Sequence, residues 1–152
     1  MKRYDDPIKR DWRKELANFS EDSLPKKPRD WAVLCMPSDE CYEIESYLDL
    51  GVMPSGIIAA EWDKRKAKRI ERKYGIHGVE VVGYDVKDYL RNAQRKFDLI
   101  NLDYETNMNT GVIAAVKLIA GRQLLNDPGV FGLTVYAQRE DEFAKRCTRA
   151  GS

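Results

Sequence analysis

The sequence predicts a three-layer α/β sandwich, a mainly parallel five-stranded sheet with helices on both faces. Three observations predict it. Short apolar runs alternate strictly with segments of helical period, the pattern of strand–helix–strand units. The runs are apolar throughout rather than every second residue, as in strands buried on both faces. Turn and stop residues separate them at almost every junction.

Each element follows from the residues in order. Residues 5–19 read as an amphipathic helix with Ile8, Trp12, Leu16 and Phe19 on one face. Residues 20–28 hold Pro25 and Pro28 and form a polar linker, which separates an N-terminal helical arm and linker (1–29) from an α/β domain (30–152). Residues 31–36 are the first strand. Pro37-Ser38-Asp39 breaks it, and Ser38 or Asp39 is suited to cap a helix over 40–50 that Gly51 ends. Residues 57–60 form the second strand, closed by Glu61, and Asp63 opens a highly charged helix that runs to Tyr74 and stops at Gly75. Residues 79–82 form the third strand and 86–91 a short helix. Residues 97–102 form the fourth strand, ending at Asp103. A long helix over 110–126 offers Val112, Ala115, Val116, Ile119 and Leu124 for packing. Asp127-Pro128-Gly129 reads as a turn, 130–136 as the fifth strand, and a last polar helix is expected from about Glu140.

Composition sets the broad class. A chain of 152 residues suits one domain with a real core. With 43% hydrophobic and 34% charged residues it is an ordinary globular sequence rather than a disordered one. The formal net charge of +1 gives no bulk electrostatic case for a polyanionic partner. No apolar run is long enough to cross a bilayer, and the first residues lack the apolar stretch of a signal peptide, so a cytoplasmic location without membrane attachment is expected. Cys35, Cys41 and Cys147 fit a reducing compartment. They form no CxxC pair and His77 is the sole histidine, so no metal site is expected. Cys35 itself reads as a small buried hydrophobe.

In parallel α/β sheets ligands bind beyond the carboxyl ends of the strands. Acidic residues stand there in four successive units: Asp39 and Glu40, Glu61, Asp85, and Asp103. The residues around them resemble the class I S-adenosylmethionine-dependent methyltransferases, a Rossmann-like family, over residues 30–138. Ile57-Ile58-Ala59-Ala60-Glu61-Trp62-Asp63 resembles the family's second motif, whose acid holds the ribose. Val81-Val82-Gly83-Tyr84-Asp85-Val86-Lys87-Asp88-Tyr89-Leu90 resembles the third, whose acid contacts the adenine amine. Phe97-Asp98-Leu99-Ile100-Asn101-Leu102-Asp103 is similar to the fourth-motif strand, and residues 124–134 to the helix, turn and strand that follow. The resemblance implies a strand order of 3-2-1-4-5. It implies Pro37, Ser38, Glu61, Trp62, Asp85 and Val86 as cofactor contacts, with Asp103 and Tyr104 catalytic. Methyl transfer in such a site is an in-line displacement helped by proximity and alignment.

Each residue keeps a second reading. Glu61 is also a plain polar strand end, Trp62 a packing residue, and Asp85 or Ser38 a helix cap. Asp103 is equally a loop acid, and Tyr104 a candidate for stacking on a substrate. The chain departs from the family pattern at three points. Its first loop, Pro37-Ser38-Asp39-Glu40-Cys41, has no glycine; no proline pair follows the fourth strand; and no room remains for the family's sixth and seventh strands. A minimal protein, a truncated one, or a partner that covers the sheet edge is therefore expected.

The expected function is S-adenosylmethionine-dependent methyl transfer, with a nucleic acid or protein favoured over a small molecule as acceptor. The alternative is a catalytically inactive relative that binds nucleic acid or protein. A dehydrogenase is disfavoured, since no GxGxxG follows the first strand. The basic helix from Lys64 to Lys73 is the candidate nucleic-acid surface. The N-terminal helix and the sheet edge are candidate oligomer contacts.

Overall fold

A computed structural model describes residues 7–37 and 40–136. Helix α1 (Pro7–Ser23) leads into strand β1 (Val33–Cys35). Then come α2 (Tyr42–Leu50), β2 (Ile57–Ala60), α3 (Lys64–Tyr74), β3 (Glu80–Val82), α4 (Val86–Asn92), β4 (Phe97–Asn107), α5 (Thr110–Gly121) and β5 (Leu125–Tyr136). The five strands form one sheet in the order β3-β2-β1-β4-β5, and every neighbouring pair is parallel. Helices flank both faces, as the alternation of elements requires.

The pleat sends successive side chains to opposite faces, and this sorts the core into two layers. Val33 and Cys35 of β1, with Ile57 and Ala59 of β2, pack under Leu16 of α1, Ile44 and Tyr47 of α2, and Ile70 and Tyr74 of α3. Leu34, Ile58 and Ala60 point the other way, onto Val86 and Leu90 of α4 and Ala115 and Ile119 of α5. The segment between α1 and β1 is pinned rather than loose. Trp31 is buried and its indole N–H donates to the Lys26 carbonyl at 2.9 Å. Buried Asp98 accepts from the Ala32 backbone N–H at 2.8 Å and from Asn126 Nδ2 at 2.9 Å, and pairs with Lys26 at 3.2 Å.

Several boundaries differ from the sequence expectation, each for a local reason. Helix α1 continues to Ser23 because buried Ser20 satisfies its hydroxyl on the Leu16 carbonyl at 2.7 Å. Its buried face is Leu16, Ala17 and Ser20, whereas Ile8 is 78% exposed and Phe19 61%. The expected stripe of Ile8, Trp12, Leu16 and Phe19 is therefore corrected. Helix α2 starts at Tyr42, and the residue before it is Cys41, in a left-handed conformation with no side-chain cap. The expected caps Ser38 and Asp39 lie outside the described residues. Helix α3, in contrast, ends at Tyr74 with Gly75 as its C-cap, as expected; Gly75 is itself helical, and the left-handed glycine is Gly78 (φ 111°).

The largest correction concerns β4, α5 and β5. Strand β4 runs five residues past Leu102, to Asn107, so Asp103 and Tyr104 sit within the strand instead of beyond it. Helix α5 stops at Gly121 because the chain turns through a left-handed Gln123 (φ 53°). Leu124 is buried after the helix has ended, and residues 125–128 belong to β5. The expected turn at Asp127-Pro128-Gly129 survives as an irregularity inside that strand, where the register shifts between Phe97 and Leu99. The polar helix expected from Glu140 and the third cysteine, Cys147, fall outside the described residues.

Candidate functional site

The strand order reverses between β1 and β4, the switch point where ligand crevices form in such sheets. A cleft of about 480 Å³ opens there at the carboxyl ends of the strands. The first four strands contribute to it in turn. Met36 and Pro37 follow β1, Glu61 and Trp62 follow β2, Asp85 and Val86 follow β3, and Asp103 and Tyr104 come from β4. The fold thus brings seven of the eight residues named above to one cleft, Glu61 and Asp85 among them; the eighth, Ser38, lies outside the described residues.

Local hydrogen bonds aim the two carboxylates. Glu61 Oε1 accepts from the Asp63 backbone N–H at 3.1 Å, inside the turn that starts α3. Asp63 is the cap of α3, accepting from Arg65 N at 2.9 Å and Lys66 N at 3.3 Å, and these bonds hold its carboxyl below the usual range. Asp85 caps α4 by accepting from Lys87 N at 2.8 Å. The cap and the cleft are compatible, because a carboxylate has a second oxygen with its own lone pairs. Trp62 is 70% exposed at the mouth, so it does not serve as a packing residue. Val86 and Pro37 are buried in the wall.

Tyr104 and Asp103 lie on opposite faces of β4. Burial and the nearby Asp85 charge push the Tyr104 hydroxyl up to about 12, so it stays protonated as a donor. Asp103 is raised from the ordinary carboxylate value by burial, while Lys9 and Arg13 oppose the shift. Its Oδ2 stands 3.8 Å from Lys9 Nζ, and its Oδ1 is buried with no hydrogen-bond partner among the described residues.

Beneath Asp103 lies a polar group that sequence reasoning missed. Asn101, two residues earlier on the same face of β4, donates from Nδ2 to Glu43 Oε1 at 2.6 Å. Tyr47 donates to the same oxygen at 2.7 Å. Burial pushes the Glu43 carboxyl up to about 8, against the two hydrogen bonds and Arg13, which favour the charged form. The available signal was Glu43 and Tyr47 four residues apart on one helix face. Lys9 was missed as well, since nothing in α1 marks it as facing a strand end.

Helix α3 carries its charge outward. Ala67, Ile70 and Tyr74 are buried as the narrow stripe requires, and Lys64, Arg65, Lys68, Arg69, Arg72 and Lys73 are exposed. Among the described residues no helix is long and apolar enough to cross a membrane, and no group of three or more His, Cys, Asp or Glu could hold a metal.

No family model and no curated protein matches this chain. Among solved structures it is similar to a chain from Haemophilus influenzae provisionally described as a methylase. The TM-score is 0.57 and the identity 17%, covering 78% of this chain and 71% of that one. At that identity the likeness is one of fold. The chain has a Rossmann-like fold.

Proposed function

We propose that the protein binds S-adenosylmethionine in the β1–β4 cleft and transfers its methyl group to an acceptor positioned by Asp103. The observation that carries the reading is the convergence of Glu61, Asp85 and Asp103 on one cleft of about 480 Å³. That volume lies within the range of about 300–1,000 Å³ typical of cofactor pockets. The donor set also fits the chemistry. Glu61 is suited to accept from vicinal ribose hydroxyls, Asp85 from an exocyclic amine, and Trp62 and Tyr104 supply aromatic faces. In place of a first-loop glycine, Met36 and Pro37 line the cleft after β1 and would neighbour the methionine end.

When bound, the cofactor supplies an electrophilic methyl group on a sulfonium. The chain's own work is to hold and orient. Asp103, with its raised carboxyl and an unpartnered Oδ1, is suited to orient the acceptor nucleophile and take its proton. A base with a raised pKa is better matched to neutral pH. Isothermal titration of the chain with S-adenosylmethionine, its demethylated product and NAD tests the reading. Binding of the first two but not NAD is expected, and binding of none would overturn it.

A second reading, a binding module without catalysis, is favoured by the outward basic face of α3. There the partner is a nucleic acid held by its phosphates. The same face would deliver a nucleic-acid acceptor to the rim in the catalytic reading.

A further inference from the structure

A second cavity, of about 380 Å³, lies on the other side of Asp103, under the first half of α1. Ile8, Lys9, Trp12 and Arg13 roof it, and Thr134 and Val135 of β5 lie across from them. Asp103 lines both this cavity and the β1–β4 cleft.

The two halves of α1 are held differently. Every buried residue of the helix, Leu16, Ala17 and Ser20, belongs to its second half. Leu16 reaches the sheet, since a Cβ on Gly132 would stand 3.3 Å from its Cδ2. Residues 7–15 bury no side chain. A helical segment of that length is marginal by itself, because isolated helices shorter than about 12 residues are barely stable in water. Beneath it stands a cavity and not a packed layer.

Long polar side chains tie this half to the rest of the fold. Lys9 Nζ stands 3.8 Å from Asp103 Oδ2, and the Arg13 guanidinium lies over the Tyr42 ring at 5.1 Å. A partly exposed ion pair at that distance contributes little, since water screens it and the lysine loses side-chain freedom. Ile8 is exposed already. Of the apolar side chains in this half, only the Trp12 ring, 36% exposed, gives up much burial when the segment lifts.

Asp103 supplies the reason for an opening. Its side chain is 20% exposed, and its Oδ1 is closed to solvent. A carboxylate that receives an acceptor needs more access than that. Strands β4 and β5 and helix α2 are built into the core through Leu99, Val130 and Ile44, so they cannot move aside cheaply. The first half of α1 can.

We propose that residues 7–15 form a lid, latched by Lys9 on Asp103, which unwinds as far as Leu16 and opens the second cavity beside the cleft. The fold as it stands is the closed state. A weakly packed segment opens by local unfolding while the anchored part of the same element stays formed. The lid stands on its own geometry. Its use as the entrance for the acceptor rests on the methyl-transfer reading.

The test follows opening at two places in the full chain. Amide exchange reports the lid itself at residues 11–15, whose N–H groups are bonded within the helix, unlike the first four. Thr134→Cys places a thiol under the lid, on the register partner of Asp103. Its labelling by iodoacetamide is measured by peptide mass mapping, which separates it from the native cysteines. Amides 11–15 are expected to exchange at least about tenfold faster than amides 20–23 of the anchored half. Lys9→Gln, which removes the latch, should raise exchange at 11–15 and labelling at position 134 by the same factor, about twofold to fivefold. Lys9→Arg, which keeps the cation, should raise neither. Amides 11–15 as well protected as 20–23 would overturn the proposal. So would fast exchange with labelling that does not follow it, the mark of a frayed helix end that covers nothing. A parallel titration with S-adenosylmethionine keeps the two readings apart. A chain that ignores the cofactor yet shows the matched rates retains the lid and loses the methyl-transfer role. A chain that takes up the cofactor without the matched rates loses the lid alone.

Discussion

Asn101 of β4 and Glu43 of α2 meet at 2.6 Å across 58 positions of sequence, amide Nδ2 to carboxylate Oε1. Both residues are buried, and Tyr47 donates to the same carboxylate oxygen. The contact locks the first helix after β1 to the strand that carries Asp103.

Glu43 makes stability depend on pH. Its folded carboxyl titrates at about 8, above its ordinary value of 4.5, because burial disfavours the charged form. A raised folded value means that the folded state binds the proton more tightly than the unfolded chain. The contribution is complete at pH values below the unfolded value and is lost as pH rises through the folded one. Denaturant melts should therefore show stability falling between about pH 4.5 and pH 8. Glu43→Gln, which keeps the acceptor oxygen without the charge, is expected to flatten that slope. An unchanged slope would count against a buried titrating carboxyl.

Gly132 leaves room for that same contact. A Cβ there would stand 2.7 Å from Asn101 Oδ1 and 3.3 Å from Leu16 Cδ2. Asn101 cannot swing aside freely, since Glu43 holds its other end. Gly132→Ala should destabilise the fold by about 1–3 kcal/mol, the usual scale of overpacking. A thermal melt with no shift would show that Asn101 is free to move.

Glu61→Gln removes a carboxylate from the cleft while leaving an oxygen to accept from the Asp63 N–H. Hydrogen bonds to a charged group contribute about 1.5–3 kcal/mol. Affinity for S-adenosylmethionine should therefore drop about tenfold to a hundredfold by calorimetry, with the melting temperature little changed. Retained affinity would remove Glu61 from the cofactor site.

Asp85 serves both as a helix cap and as a cleft wall, and two substitutions separate those roles. Asp85→Asn preserves a good cap, whereas Asp85→Ala loses it at about 1 kcal/mol. Cofactor affinity should fall in both variants, since neither retains the carboxylate. If only the alanine variant binds weakly, the residue acts through the helix.

The α3 face is tested by replacing Lys64, Arg65, Lys68 and Arg69 together with glutamine. All four are exposed, so the fold should persist. In the nucleic-acid reading, RNA or DNA binding weakens and the slope of log affinity against log salt falls by about one per phosphate contact removed. A salt slope identical to that of the unmodified chain would leave α3 as a solvated face.

Much of this protein could be read one segment at a time. The four-residue strand β2, the buried stripe Ala67–Ile70–Tyr74, and the caps Asp63 and Asp85 each follow from residues within one or two turns of each other. Local steric preference and hydrophobic period act over that range, so they are written in the sequence. The order of the sheet was legible only through resemblance, and the layout of strand ends followed from it. Thus Glu61, Trp62, Asp85, Asp103 and Tyr104 all reach one cleft.

The tertiary structure decided what depends on distant partners. Strand β4 runs on past Leu102, where the apolar signal ends, because β5 continues alongside it: Asp103 pairs with Thr134 and, after an irregularity, Asn107 with Tyr136. A backbone ladder needs a neighbour and not a hydrophobic side chain. Lys9, Glu43 and Asn101 look like ordinary polar residues in sequence, and only packing makes them one group around Asp103. Burial and charge pairing are properties of assembled surfaces, and no local stretch of this chain encodes them.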